Sequence, residues 1–129
     1  MQTQSGFIVH VIDDDEAVCD SLKALLEASG FEAETYISAA DFLARTPSDF
    51  GCLLLDISMP GMSGLDLMQY LADQGRRIPI VVLTANLDGR IRQCAHQLGA
   101  AAYLTKPVTE KDLLSAILDA KGEYKGTSL

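Results

Sequence analysis

Five side chains in this chain have the types and places to do chemistry together. Asp56 closes the apolar run Leu53-Leu54-Leu55 and is followed at once by a turn-rich stretch, I-S-M-P-G-M-S-G. Asp13 and Asp14 follow a β-rich run from Phe7 to Ile12, Thr84 closes another from Pro79, and Lys106 lies just past a fourth. Ionisable residues at the carboxyl ends of such strands sit where open α/β sheets place their crevice. Carboxylates gathered there need a cation, since two like charges about 4 Å apart repel by about 4 kcal/mol at an effective dielectric near 20. All-oxygen donors suit a hard divalent ion, Mg²⁺ first and Mn²⁺ as a substitute. Such an ion and a lysine both attract phosphoryl oxygens, and a carboxylate can act as the nucleophile to give an aspartyl phosphate. In that chemistry Asp56 is the nucleophile and Asp13 and Asp14 hold the metal. Lys106 pairs with the phosphoryl group, and the Thr84 hydroxyl donates to one of its oxygens.

The elements that must position these residues alternate regularly. Strand patterns cover Phe7 to Ile12, Phe31 to Ile37, Cys52 to Asp56, Pro79 to Thr84 and Ala101 to Thr105. Between them apolar residues recur at helical spacing: Val18, Leu22, Leu25 and Leu26; Phe42 and Leu43; Leu65, Met68, Leu71 and Ala72; Ile91, Cys94, Ala95 and Leu98. A last helix carries Leu113, Leu114, Ile117 and Leu118. Gly30, Gly75 and Gly99 are natural helix stops, Pro47 ends the short second helix, and Ser38 with Asp41 and Thr109 with Asp112 read as helix starts. Five strands alternating with five helices predict an α/β fold, a doubly wound parallel sheet in the flavodoxin-like order 2-1-3-4-5. Strands one and three are then neighbours, and their acids converge.

At 129 residues the chain is long enough for one domain with a core that needs no staples. The expected division is a domain over residues 1–120 and a polar tail or linker over 121–129. A net charge of −8 argues against direct nucleic-acid binding and for protein or cation partners. No apolar run approaches a membrane span, and Met1 to Gly6 form no secretory signal. Cys19, Cys52 and Cys94 have no metal or disulfide spacing and read as buried, reduced thiols, so the expected location is cytoplasmic.

The segments V-I-D-D-D, L-L-L-D-I-S-M-P-G-M-S-G, V-V-L-T-A and Y-L-T-K-P together resemble the receiver domain of two-component response regulators, of the CheY-like superfamily. The resemblance runs from Phe7 to Ala120. The opening V-H-V-I-D-D-D-E-A-V is similar to the FixJ-like branch, whose members usually carry a C-terminal helix-turn-helix; none follows within these residues. It implies a signalling phosphoacceptor and not an enzyme in the ordinary sense, with Asp56 phosphorylated by a sensor histidine kinase or phosphotransfer protein. It further implies that Asp14 is a direct metal ligand, that Asp13 acts largely through water, and that the Ser58 carbonyl completes the metal site. Lys106-Pro107 is expected to be cis, a form open to X-Pro bonds. Phosphorylation is expected to draw Thr84 toward the phosphate while Tyr103 turns inward behind it. That would switch a surface made by the fourth helix, fifth strand and fifth helix, where Arg90, Arg92, Gln93, His96 and Gln97 are expected to be exposed. Homodimers through that surface are common in the family, but these residues leave that partner open. Ser58 and Asn86 flank the expected phosphate and are small and uncharged.

Each residue also has an ordinary structural explanation. The acids from Asp13 to Glu16 could cap a helix, which accounts for Asp15 and Glu16 but not for Asp13 at the strand end. Thr84 could be a turn cap, Lys106 a solvated loop lysine, and Tyr103 a core aromatic. His10 reads as a core or edge residue and His96 as exposed. Two rivals use the same fold class. A haloacid-dehalogenase-like phosphohydrolase would use D-x-D at Asp13 and Asp15, but the chain lacks a cap domain and a late acidic pair. A flavodoxin-like binder would need a phosphate loop where four acids stand. A receiver that serves only as an interaction module is a third alternative.

Overall fold

A computed structural model describes residues 7–45, 51–57, 64–85 and 89–127, the last five of these by backbone alone. Five strands alternate with five helices. They are β1 (Ile8–Ile12), α1 (Glu16–Ala28), β2 (Glu32–Tyr36), α2 (Ala39–Arg45), β3 (Gly51–Asp56), α3 (Gly64–Asp73), β4 (Ile80–Thr84), α4 (Gly89–Gln97), β5 (Ala102–Thr105) and α5 (Glu110–Thr127). All strands are parallel, and the sheet order is β2-β1-β3-β4-β5, as the alternation predicts.

Strands β3 and β4 are apolar up to their last residues, Asp56 and Thr84, because both of their faces are covered. β3 and β4 are buried at every position, yet their side chains still divide with period two. Val9, Val11, Cys52, Leu54, Val81 and Leu83 pack against Cys19 and Leu26 of α1 and Leu113 and Ile117 of α5. Ile12, Leu53, Leu55 and Val82 pack on the other face against Phe42 of α2, Leu67, Met68 and Leu71 of α3, and Ala95 of α4. Each such leucine contributes roughly 1.5–3 kcal/mol by leaving water, so the sheet is a rigid base for whatever its carboxyl ends carry.

Helix starts follow the sequence signals. Asp15 caps α1, its carboxylate accepting from the backbone N–H of Ala17 and Val18. The Ser38 hydroxyl accepts from Asp41 N–H at 3.0 Å, and the Thr109 hydroxyl accepts from Asp112 N–H at 3.1 Å. One expectation needs correction. Cys94 is exposed on α4, whereas Cys19 and Cys52 are buried as expected, because the core stripe of this short polar helix narrows to Ala95. Helical backbone of α5 continues to Thr127, so the polar segment after Ala120 begins as part of that helix. Residues 121–127 hold no proline, and Gly122 and Gly126 are both carried within the helix. Pro47, Ser58 and Asn86 lie outside the described residues, as do Met1 to Gly6.

Candidate functional site: an acidic pocket at the strand ends

The register of the sheet assembles the site. Ile12 pairs with Leu55, so the next residues, Asp13 and Asp56, leave β1 and β3 side by side. Asp56 pairs with Leu83, which places Thr84 one step further along β4. Thr84 pairs with Thr105 of β5, and the N–H of Lys106 donates to the Thr84 carbonyl at 2.8 Å. Strand β1 lies at the point where the chain reverses direction across the sheet, the place where such folds open a crevice.

Asp13, Asp56 and Thr84 are buried, at 2%, 8% and 0% exposure, whereas Asp14 is exposed. Buried carboxylates require partners, and the fold supplies them. Lys106 Nζ donates to Asp13 Oδ2 at 3.0 Å and to Asp56 Oδ2 at 3.3 Å. The other Asp13 oxygen accepts from the Asp15 N–H at 2.9 Å. Burial alone would lower the pKa of Lys106. The hydrogen bond to Asp13 and the charges of Asp56 and Asp13 outweigh it and hold the ammonium above its ordinary value. The Lys106-Pro107 peptide is cis, as the resemblance implies.

Carboxylate oxygens of Asp13, Asp14 and Asp56 all lie within 4.8 Å of one another. Three anionic oxygen donors with one ammonium leave a net negative pocket, and its donor set is the one a hard divalent cation prefers. The residues therefore fit a Mg²⁺ site.

Three supports were not visible as site residues in the sequence. The Cys19 thiol, from α1, donates to the Asp13 carbonyl at 3.3 Å, and burial followed by the Asp13 charge raises its pKa. Asp13 N–H donates to the Tyr36 carbonyl at 3.1 Å, so β2 also holds the Asp13 backbone. Gly64 starts α3 directly against the residue after Asp56: a Cβ there would stand 2.5 Å from Ile57 Cα. The sequence marked Gly64 only as a turn residue. His10 is buried as expected, its Nδ1 paired with the Tyr36 hydroxyl at 2.9 Å, and His96 is exposed as expected.

Tyr103 stands on β5, half-buried, with its backbone paired to Val82 two residues before Thr84. It packs with Ile91, Leu98 and Ala100 against the core of the α3–α4 face. Among the described residues no helix is long and apolar enough to cross a membrane.

A family profile described as the response regulator receiver domain matches residues 9–118. The transcriptional regulatory protein FixJ of Azorhizobium caulinodans is 43% identical over 115 residues, which cover 88% of this chain and 54% of that protein. Response regulator protein TmoT of Ectopseudomonas mendocina is 39% identical over 114 residues, 88% of this chain and 52% of that protein. The chain thus spans about half the length of the curated relatives it matches. Among solved structures, FixJ-N aligns with a TM-score of 0.84 at 34% identity, covering 95% of this chain and 96% of that one. A CheY-like receiver domain protein from Methanospirillum hungatei aligns with a TM-score of 0.86 at 30% identity, over 94% and 98% of the two chains.

Proposed function

The chain belongs to the response regulator receiver domain family of two-component signalling, and from that premise we propose that Asp56 is its phosphoacceptor. The observation that carries the proposal is the double contact of Lys106 with Asp13 and Asp56 inside a cluster of three carboxylates. A carboxylate oxygen of Asp56 forms the new bond to phosphorus while the bond from phosphorus to the donor breaks, and the donor leaves with that electron pair. Asp56 closes a buried strand, so its approach to a donor is fixed by the sheet and not by a mobile loop. Lys106 neutralises one of the phosphoryl oxygens, and the Thr84 hydroxyl donates to another. Both oxygens of Asp13 are held by hydrogen bonds, which suits a carboxylate that orients its surroundings better than one that attacks. Asp13, Asp14 and Asp56, with the Ser58 carbonyl, would hold Mg²⁺, Mn²⁺ serving as a substitute. When bound, the ion supplies positive charge that offsets the anionic phosphoryl oxygens.

The physiological donor is a sensor histidine kinase or phosphotransfer protein. New charge on Asp56 biases Thr84 and Tyr103, and through them the α4–β5–α5 surface that a partner or effector reads. Homodimerisation through that surface is one form of output. Such domains are signalling proteins and not classical enzymes; any catalysis here is of the domain's own phosphorylation and dephosphorylation. We assign residues 1–120 to the receiver and 121–129 to a polar C-terminal tail or linker, and place the protein in the cytoplasm. Intact mass after incubation with Mg²⁺ and an acyl phosphate tests the proposal. A gain of one alkali-labile phosphoryl group is expected, and an unchanged mass, with a histidine kinase core as donor as well, would overturn it.

A further inference from the structure

We propose that Arg92 is a positioning residue for Tyr103: its guanidinium clamps the ring from α4 and so sets how readily Asp56 accepts phosphate. The inference rests on the reading of Tyr103 as the switch aromatic, and it names a control that neither the acidic pocket nor the strand ends contain. The Arg92 guanidinium carbon lies 5.4 Å from the centroid of the Tyr103 ring. The two side chains line one cavity of about 160 Å³, together with His96 and the strip from Ala100 to Ala102. Arg92 is exposed, so its position against the ring is not forced by core packing, whereas Tyr103 is half-buried and packed against the core of the α3–α4 face.

A cation over an aromatic face is attracted only while the ring keeps its place and orientation. If phosphorylation draws Thr84 toward Asp56 and the ring follows, the contact is lost, and its strength opposes the move. Helix α4 thereby enters the equilibrium through one side chain. The sequence placed Arg92 among exposed readout positions; the structure gives it a second relation, to the aromatic behind Thr84. At an exposed site such a contact changes a two-state ratio by roughly two- to fivefold.

Two readouts on the full chain test this. The first is the tyrosine ring resonances of the unphosphorylated protein, labelled on its four tyrosines, with Tyr103 assigned through the Tyr103→Phe variant. Arg92→Gln is expected to lower the ratio of the present ring position to its alternative by roughly two- to fivefold, and Arg92→Lys to restore most of it. The second is the rate of phosphorylation by an acyl phosphate, expected to rise by the same factor in Arg92→Gln. That rise should persist in a Tyr103→Phe background, which keeps an aromatic face, and vanish in Tyr103→Leu. A ring resonance unchanged in Arg92→Gln, or a rate effect of equal size in Tyr103→Leu, would overturn the clamp. The first readout needs no phosphate: a wild type that takes none would contradict the phosphoacceptor reading, while the ring population would still decide whether Arg92 positions Tyr103.

Discussion

Lys106 and Asp13 stand 93 positions apart in the chain, yet the ammonium donates to the Asp13 carboxylate at 3.0 Å. Only the closure of β5 onto β4, and of β3 between β4 and β1, brings them together. The same ammonium reaches Asp56 at 3.3 Å, so one cation holds two acids in register before any phosphate arrives.

Lys106→Ala should therefore have two separable effects. Without added metal, Asp13 and Asp56 face each other with no ammonium between them, and stability should fall by about 1–3 kcal/mol. Part of that loss should return with millimolar Mg²⁺, which chemical denaturation at two Mg²⁺ concentrations can measure. Phosphorylation should slow by about tenfold or more, since a donor aimed at the phosphoryl oxygens is gone. Wild-type values for both quantities would remove Lys106 from the site.

Mg²⁺ itself should raise thermal stability, because a ligand that binds only the folded state stabilises it by mass action. At tenfold excess over its dissociation constant the gain is about 1.4 kcal/mol, a few degrees for a domain of this size. The shift should disappear in the Asp13→Asn, Asp14→Asn double variant. A shift that survives there would mean the ion binds outside the acidic cluster.

Gly64→Ala tests the seating of α3 on the exit of β3. A Cβ 2.5 Å from Ile57 Cα forces backbone to move, because the obstacle is main chain and not the tip of a flexible side chain. Overpacking of this kind costs about 1–3 kcal/mol. The displacement falls on the residue next to Asp56, so phosphorylation should slow as well. A variant with unchanged stability and rate would show that α3 does not constrain the strand end.

How much of this was legible beforehand depends on whether a residue's signal is local. The strand ends Asp13, Asp56 and Thr84 were readable because an apolar run that stops at a polar residue marks the edge of a buried sheet. Lys106 alone looked like a loop lysine, and only the order of strands gave it neighbours. Cys19 and Tyr36 could not be read as supports of Asp13, since they act through a thiol and a main-chain carbonyl whose directions follow from packing. Gly64 carried a turn signal that concealed a close approach. The reach of α5 past Ala120 was not legible, because a polar composition is equally consistent with a solvated helix and with a linker. Cys94 was assigned to the core because its spacing matched the apolar stripe of α4, which in the fold narrows to Ala95.

The buried thiols give a prediction about alkaline pH. Burial pushes the Cys52 thiol from its ordinary 9.0 up to about 12. A folded-state pKa raised above the unfolded one means the unfolded chain loses this proton first. The contribution of Cys52 to stability is therefore complete below about pH 9 and declines from there to about pH 12. Denaturation midpoints measured across this window should fall less steeply in Cys52→Val. Cys19 and Tyr36 are raised by burial in the same direction, so a slope should persist. Near pH 8 a thiol reagent should modify Cys94 quickly and leave Cys19 and Cys52 intact until the protein unfolds. Equal slopes for Cys52→Val and wild type, or rapid native labelling at Cys52, would contradict this.

The most direct measurement compares intact masses of wild type, Asp56→Asn and Asp13→Asn after incubation with Mg²⁺ and an acyl phosphate. Phosphate on Asp56 predicts one added phosphoryl group in wild type, none in Asp56→Asn, and a slower gain in Asp13→Asn, which keeps the nucleophile but loses one negative charge of the acidic cluster. A full gain in Asp56→Asn together with none in Asp13→Asn would place the phosphate on the first strand's acid and contradict the assignment of Asp56.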